Sequence, residues 1–129
     1  MLDAVSSPNL AEYLFRHRKT MSLRTKLFFL AQIAHGLRFL RNYNIAHLDI
    51  KANNVIIILK DFLTKIIDFG ESFHPEVNKK NFHPGFTLPY CAPEVFDLVH
   101  NGFNYQQDVF SFGILMYEVI FENNLLTVN

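Results

Sequence analysis

Three features of the 129-residue sequence predict a mainly α fold with a small β-hairpin, of the α+β class. They are a helical apolar stripe over residues 23–41, two short aliphatic runs around a turn at 60–62, and a nearly apolar stretch at 108–122. Ser7-Pro8 reads as an N-cap followed by a proline at the first helical position. It opens a short helix through Asn9–Arg16 with Leu10, Tyr13 and Leu14 on one face. Ser22 caps a longer helix in which Leu23, Leu27, Leu30, Ala34, Leu37 and Arg41 recur at steps of four and three. Five of those six are apolar, which predicts a core face, and Asn42-Tyr43-Asn44 ends the helix. Val55–Leu59 and Leu63–Ile67 are rich in Ile and Val and flank Lys60-Asp61-Phe62, so they predict two buried strands joined by a tight turn. Residues 68–93 contain Pro75, Pro84, Gly85, Pro89 and Pro93 and predict a long loop, ordered or switchable. Asp108 to Glu122 is apolar nearly all round and predicts a helix buried in the middle of the structure.

Composition narrows the function. Half the residues are hydrophobic and 19% are charged, which suits one globular domain rather than a disordered chain. The single cysteine, Cys91, has no partner for an internal disulfide and fits a reducing, intracellular and cytoplasmic setting. It reads as a small buried residue rather than a nucleophile. The start, MLDAVSSPNL, has no basic region followed by an apolar stretch, so it does not read as a signal peptide. The longest nearly apolar run, Val109 to Phe121, is 13 residues and interrupted by Ser111 and Glu118, while a bilayer span needs about 18. The net charge of zero argues against nucleic acid as a partner. Charge is nevertheless uneven, about +5 over residues 1–48 and −5 over 49–129. Arg16, Arg18 and Lys19 could meet a polyanion or could serve the end of the first helix.

The hairpin makes a geometric prediction. In an antiparallel pair the residue entering one strand lies beside the residue leaving the other. Asn54 enters and Asp68 leaves, so an amide oxygen and a carboxylate converge at one end of the sheet, hard oxygen ligands of the kind that suit Mg2+ with phosphate. Asp49 lies five residues before Asn54, with Lys51 between them. Asp49 can accept a proton from a hydroxyl nucleophile, and Lys51 can neutralise charge on a phosphoryl group in transfer. Each residue alone is most simply a turn former or cap. Together they form His47-Leu48-Asp49-Ile50-Lys51-Ala52-Asn53-Asn54, followed after one hairpin by Asp68-Phe69-Gly70 and later by Ala92-Pro93-Glu94. Such an ordered set rarely arises by chance. His74, Glu76 and His83 sit in the same loop but match no zinc spacing, and His35 reads as a packed or surface residue of the long helix.

On those three motifs the sequence resembles the C-terminal lobe of a eukaryotic protein kinase over nearly its whole length. The resemblance implies a partial kinase domain over residues 1–129, with the N-lobe absent, a catalytic loop at 47–54, an activation segment at 68–94 and a buried helix at 108–122. It implies Asp49 as catalytic aspartate, Lys51 as the catalytic-loop lysine beside the γ-phosphate of ATP, and Asn54 and Asp68 as Mg2+ ligands. Lys51 points to a protein substrate with a Ser/Thr acceptor. Thr87 resembles the threonine that bonds the catalytic Asp and Lys, and Asp108 the aspartate that holds the catalytic loop's backbone. The helix from Asp108 is most similar to the tyrosine-kinase-like group of Ser/Thr kinases.

Several departures matter. Leu48 stands where the family has arginine, so phosphorylation at Ser72, Thr87 or Tyr90 is expected not to be required. Phe86 occupies the place of a glycine, with Gly85 displaced by one. The five glycines form no Gly-x-Gly-x-x-Gly loop, and no downstream arginine is present to pair with Glu94, whose burial unpaired would be costly. These departures leave two readings open: a fragment of a working Ser/Thr kinase domain, and a catalytically inactive kinase-derived protein-interaction module.

Overall fold

In a computed structural model, residues 7–77, 85, 87–97 and 103–122 are described. The elements in chain order are α1 (Leu10–Arg16), α2 (Leu23–Asn42), β1 (Val55–Ile58), β2 (Leu63–Ile66) and α3 (Tyr105–Phe121). Short 3-10 turns lie at Ala52–Asn54 and Pro93–Asp97. The strands form one two-stranded antiparallel sheet, so the expected mainly α class with a small hairpin is what the chain adopts.

The start of α1 differs from expectation. Asn9, not Ser7, is the cap, and its side chain accepts the Glu12 N–H at 2.8 Å. Pro8 is held in extended backbone because its carbonyl accepts the Ile57 N–H at 2.9 Å, and Asn9 bridges Ile56. The pairing with β1 runs through Pro8 and Asn9, so the helix starts only after them.

α2 begins at its expected cap, where Ser22 Oγ accepts the Thr25 N–H at 3.1 Å, and ends at Asn42, with Asn44 left-handed at φ 55°. Its core face is rotated from the expected stripe. Lys26, Phe29, Leu30, Ile33 and Leu40 are buried, while Leu23, Leu27, Ala34 and Arg41 are exposed. Two apolar stripes compete on this helix, and packing selects the one carrying Phe29. Its ring packs in a three-ring cluster with Tyr13, at 5.6 Å, and Phe62, at 5.2 Å, which are themselves 6.2 Å apart. Gly36 lets α2 approach β2 closely, since a Cβ there would come within 3.1 Å of Ile66 Cδ1.

β1 and β2 pair from Val55↔Ile66 to Ile58↔Leu63. Val55 and Ile57 are fully buried, but β2 is not the buried strand its composition predicts: Leu63 and Lys65 are exposed and Thr64 and Ile66 half-buried. Only the Thr64 and Ile66 side of β2 meets α2. Gln32 fixes that contact by accepting the Thr64 N–H at 2.7 Å.

α3 starts three residues before the expected boundary because Asn104 and Gln107 form a capping box. It is buried on one face, through Asp108, Ser111, Leu115, Glu118 and Val119, rather than all round. Val109, Phe110, Met116, Tyr117 and Phe121 are exposed among the described residues. Lys26 ties α2 to the end of α3, donating to the Ile120 carbonyl at 3.2 Å and pairing with Glu122 at 3.0 Å. Glu122 also accepts the Lys19 backbone N–H at 3.0 Å, and Arg16 sits in the last turn of α1. Among the described residues no helix is long and apolar enough to cross a membrane.

Candidate active site

The segment 47–54 is anchored from below. Ile50 and Ala52 enter the core formed by Leu10, Phe29 and Leu115, which leaves Asp49 and Lys51 half-buried between them. The backbone ahead of them is held by α3. Asp108 accepts the His47 N–H at 2.7 Å and the Leu48 N–H at 2.8 Å, one on each carboxylate oxygen. Leu48 is buried with φ 67°, a left-handed conformation that costs an L-residue roughly 1–2 kcal/mol. The two bonds to Asp108 keep it there. Burial pushes the Asp108 carboxyl up from its ordinary value, and the two N–H bonds oppose that shift.

His47 is fully buried and links the loop to the hairpin exit. Its Nδ1 accepts the Asp49 N–H at 3.1 Å, so Nε2 carries the hydrogen shared with the Ile67 carbonyl at 2.9 Å. Phe69 packs edge-on against the ring, with centroids 4.9 Å apart.

The polar groups meet at Asp49. Thr87 Oγ1 donates to Asp49 Oδ1 at 2.9 Å, and Lys51 Nζ donates to the same threonine oxygen at 3.1 Å. Lys51 Nζ also lies 3.5 Å from Asp49 Oδ1. Asn54 Nδ2 donates to Asp49 Oδ2 at 2.9 Å and to the Asp49 carbonyl at 2.8 Å. Both oxygens of Asp49 are thus fixed in direction while the residue keeps some contact with solvent. Thr87 is itself set by a turn in which Tyr90 donates its N–H to the Thr87 carbonyl at 2.9 Å.

The ends of the hairpin lie side by side, as the strand pairing requires: Ile67 donates its N–H to the Asn54 carbonyl at 2.9 Å. Asp68 follows, exposed and left-handed at φ 62°, with Oδ1 taking the Gly70 N–H at 3.3 Å. Asn54 spends its NH2 group on Asp49, which leaves its oxygen as a hard donor, and Asp68 offers a carboxylate. These donor types suit Mg2+. Among the described residues no three His, Cys, Asp or Glu side chains cluster as a metal site.

Other sequence expectations sort clearly. Glu94 is exposed, so the predicted cost of burying it unpaired does not arise. Tyr90 is buried, and burial together with Glu118 raises its phenol well above the ordinary value. Cys91 is half-buried, and burial, then the charge of Glu94, pushes its thiol up, which opposes a nucleophilic role. His35 is a surface residue. Phe86 and His83 lie outside the described residues. Ser111 escaped the sequence reading, where it was only an interruption of an apolar run. Its Oγ donates to the Tyr90 carbonyl at 2.7 Å.

A family model described as protein kinase domain matches residues 1–129. The sequence is 33% identical over 118 residues to a probable LIM domain-containing serine/threonine-protein kinase of Dictyostelium discoideum, covering 92% of this chain and 18% of that protein. It is 41% identical over 100 residues to serine/threonine-protein kinase PSK1 of Saccharomyces cerevisiae, covering 77% of this chain and 7% of that protein. With a PAS domain-containing serine/threonine-protein kinase of Mus musculus it shares 37% identity over 98 residues, covering 75% and 7%. The chain therefore spans less than a fifth of the length of these relatives. They do not single out the tyrosine-kinase-like group.

Proposed function

The chain belongs to the protein kinase family, and from that membership we propose that it transfers the γ-phosphoryl group of ATP to a Ser/Thr hydroxyl of a protein substrate. The observation that carries this reading is the triangle of Asp49, Thr87 and Lys51, closed by bonds of 2.9 and 3.1 Å. Asp49 orients the acceptor hydroxyl and receives its proton as the oxygen bonds to phosphorus and the bond to the leaving diphosphate breaks. Lys51 offsets the negative charge of the group in transfer. Thr87 holds the two at a fixed spacing, and Asn54 fixes the second oxygen of Asp49. Asn54 and Asp68 are the residues that would hold Mg2+, which supplies charge neutralisation at the ATP phosphates. This chemistry points to an intracellular site of action, where ATP is the common phosphoryl donor.

Asp49→Asn tests the reading. It keeps the size and polarity of the side chain and removes the proton acceptor, so ATP-dependent labelling of a Ser/Thr protein such as dephosphorylated casein should fall by about 10²- to 10⁴-fold. Undiminished labelling by the variant overturns the assignment. Absence of labelling by both forms, with binding to a protein partner intact, favours the interaction-module reading instead.

A further inference from the structure

We propose that Ser111 is a positioning residue of this site, acting on Asp49 through the turn that carries Thr87. The inference rests on the phosphotransfer reading for its effect on rate, but its geometry stands independently. Asp108 and Ser111 are three residues apart on α3, so they share one face, and both are buried. Asp108 holds the backbone of the catalytic loop. Ser111 reaches the other half of the site, donating to the Tyr90 carbonyl at 2.7 Å.

A helical serine does not need that contact to satisfy its hydroxyl. The Gln107 carbonyl, four residues back, already lies within reach at 3.1 Å, the ordinary acceptor for such a side chain. The shorter contact is to Tyr90, and its main effect is on Tyr90. That residue is 3% exposed, so its carbonyl would lose an important partner in a region with little water. The same residue also closes the turn, through the Tyr90 N–H on the Thr87 carbonyl at 2.9 Å. Thr87 then donates to Asp49.

Three successive hydrogen bonds thus run from Ser111 to Tyr90, to Thr87 and to Asp49. Leu48, Asp49, Thr87, Tyr90, Cys91 and Ser111 line one small crevice, so the route is spatially continuous. One helix thereby supports the site from two directions, the backbone just ahead of the proton-accepting Asp49 through Asp108 and the Asp49 side chain through Ser111. Loss of the second support lets Thr87 drift, and small misplacements at a reacting group are expensive in rate.

The test uses Ser111→Ala, Thr87→Val and the double variant in the full chain. Alanine is the best helix former, so α3 should persist without the hydroxyl. Ser111→Ala should lower kcat for labelling of dephosphorylated casein by about 10-fold, with the KM for ATP unchanged. In the Thr87→Val background it should add less than about 2-fold, because its effect passes through Thr87. An equal loss in both backgrounds, or none in the wild-type background, overturns the proposal. Hydrogen exchange provides a readout that needs no activity. In Ser111→Ala, the amides of residues 87, 88 and 90–92 should exchange about 10-fold faster while 105–121 keep their protection. Unchanged exchange at 87–92, or uniform loosening of α3, overturns it. If the wild-type chain labels nothing, the phosphotransfer reading fails and the exchange result alone decides the structural link.

Discussion

Replacing Asp108 should uncouple the 47–54 loop from the helix beneath it. Its carboxylate accepts two buried backbone N–H groups, of His47 and Leu48, at 2.7 and 2.8 Å. Hydrogen bonds to a charged group contribute about 1.5–3 kcal/mol each, so the pair contributes about 3–6 kcal/mol before opposing terms. Two terms oppose it. Burial of the carboxylate is unfavourable, as its raised pKa shows, and release of Leu48 from φ 67° would return roughly 1–2 kcal/mol. The net loss for Asp108→Ala is therefore about 2–4 kcal/mol, a large part of the 5–15 kcal/mol typical of a whole domain. Asp108→Asn retains one acceptor oxygen and sets an NH2 group against the other N–H, so it should lose about half as much. Equilibrium unfolding in urea reads both, with a fall in midpoint on the order of 1 M expected for the alanine variant. A midpoint within about 0.2 M of wild type would refute the reasoning, because two unsatisfied buried N–H groups cannot be neutral.

Two further outcomes follow from residues around the site. Leu48 is buried and apolar where the family resemblance expects an arginine to receive a phosphate, so phosphatase treatment should leave labelling activity within about 2-fold. A loss of 10-fold or more would show that a phosphate is received elsewhere. Glu122 gives a pH dependence of known sign: its carboxyl lies below the ordinary 4.5, first through the bond from Lys26 and then through the Lys19 N–H. The unfolded chain binds that proton more tightly, so the contribution to stability is present above about pH 4.5 and is lost as pH falls through the folded value. Unfolding midpoints of wild type and Glu122→Gln should differ above pH 5 and converge in acid, and parallel curves would remove Glu122 as the cause.

Local chemistry was legible where a few residues decide it. Ser22 caps α2 as written, the two Ile-rich runs pair around their turn, and Asn54 and Asp68 flank the strands at one end of the sheet. Asp49, Lys51 and Thr87 meet as the family resemblance implies. The errors lie where tertiary packing chooses between local alternatives. α2 offers two apolar stripes, and only the rings of Tyr13 and Phe62 around Phe29 select the one that is buried. Pro8 and Asn9 pair with β1, a contact nearly fifty residues away, which moves the cap from Ser7 to Asn9. Ser111 carried no signal at all, because its partner is a backbone carbonyl and no side chain marks that acceptor in a sequence.

The supports of the site differ in kind. Leu48 and Asp68 are both left-handed, at φ 67° and 62°, and His47 joins their neighbourhoods by giving its N–H to Asp108 and sharing its Nε2 hydrogen with Ile67. Loop, hairpin exit and α3 are thereby coupled through buried bonds, and a change in one must be felt by the others. Thr87 enters differently, through its side chain alone, from a turn supported by the Tyr90 N–H and Ser111. The placement of Asp49 therefore depends on whether α3 is folded, whereas the spacing of Asp49 to Lys51 depends on whether the 87–90 turn is seated. Conditions that unseat the turn while leaving α3 intact would alter the reacting groups without unfolding the chain, which makes that turn the point at which activity and stability can separate.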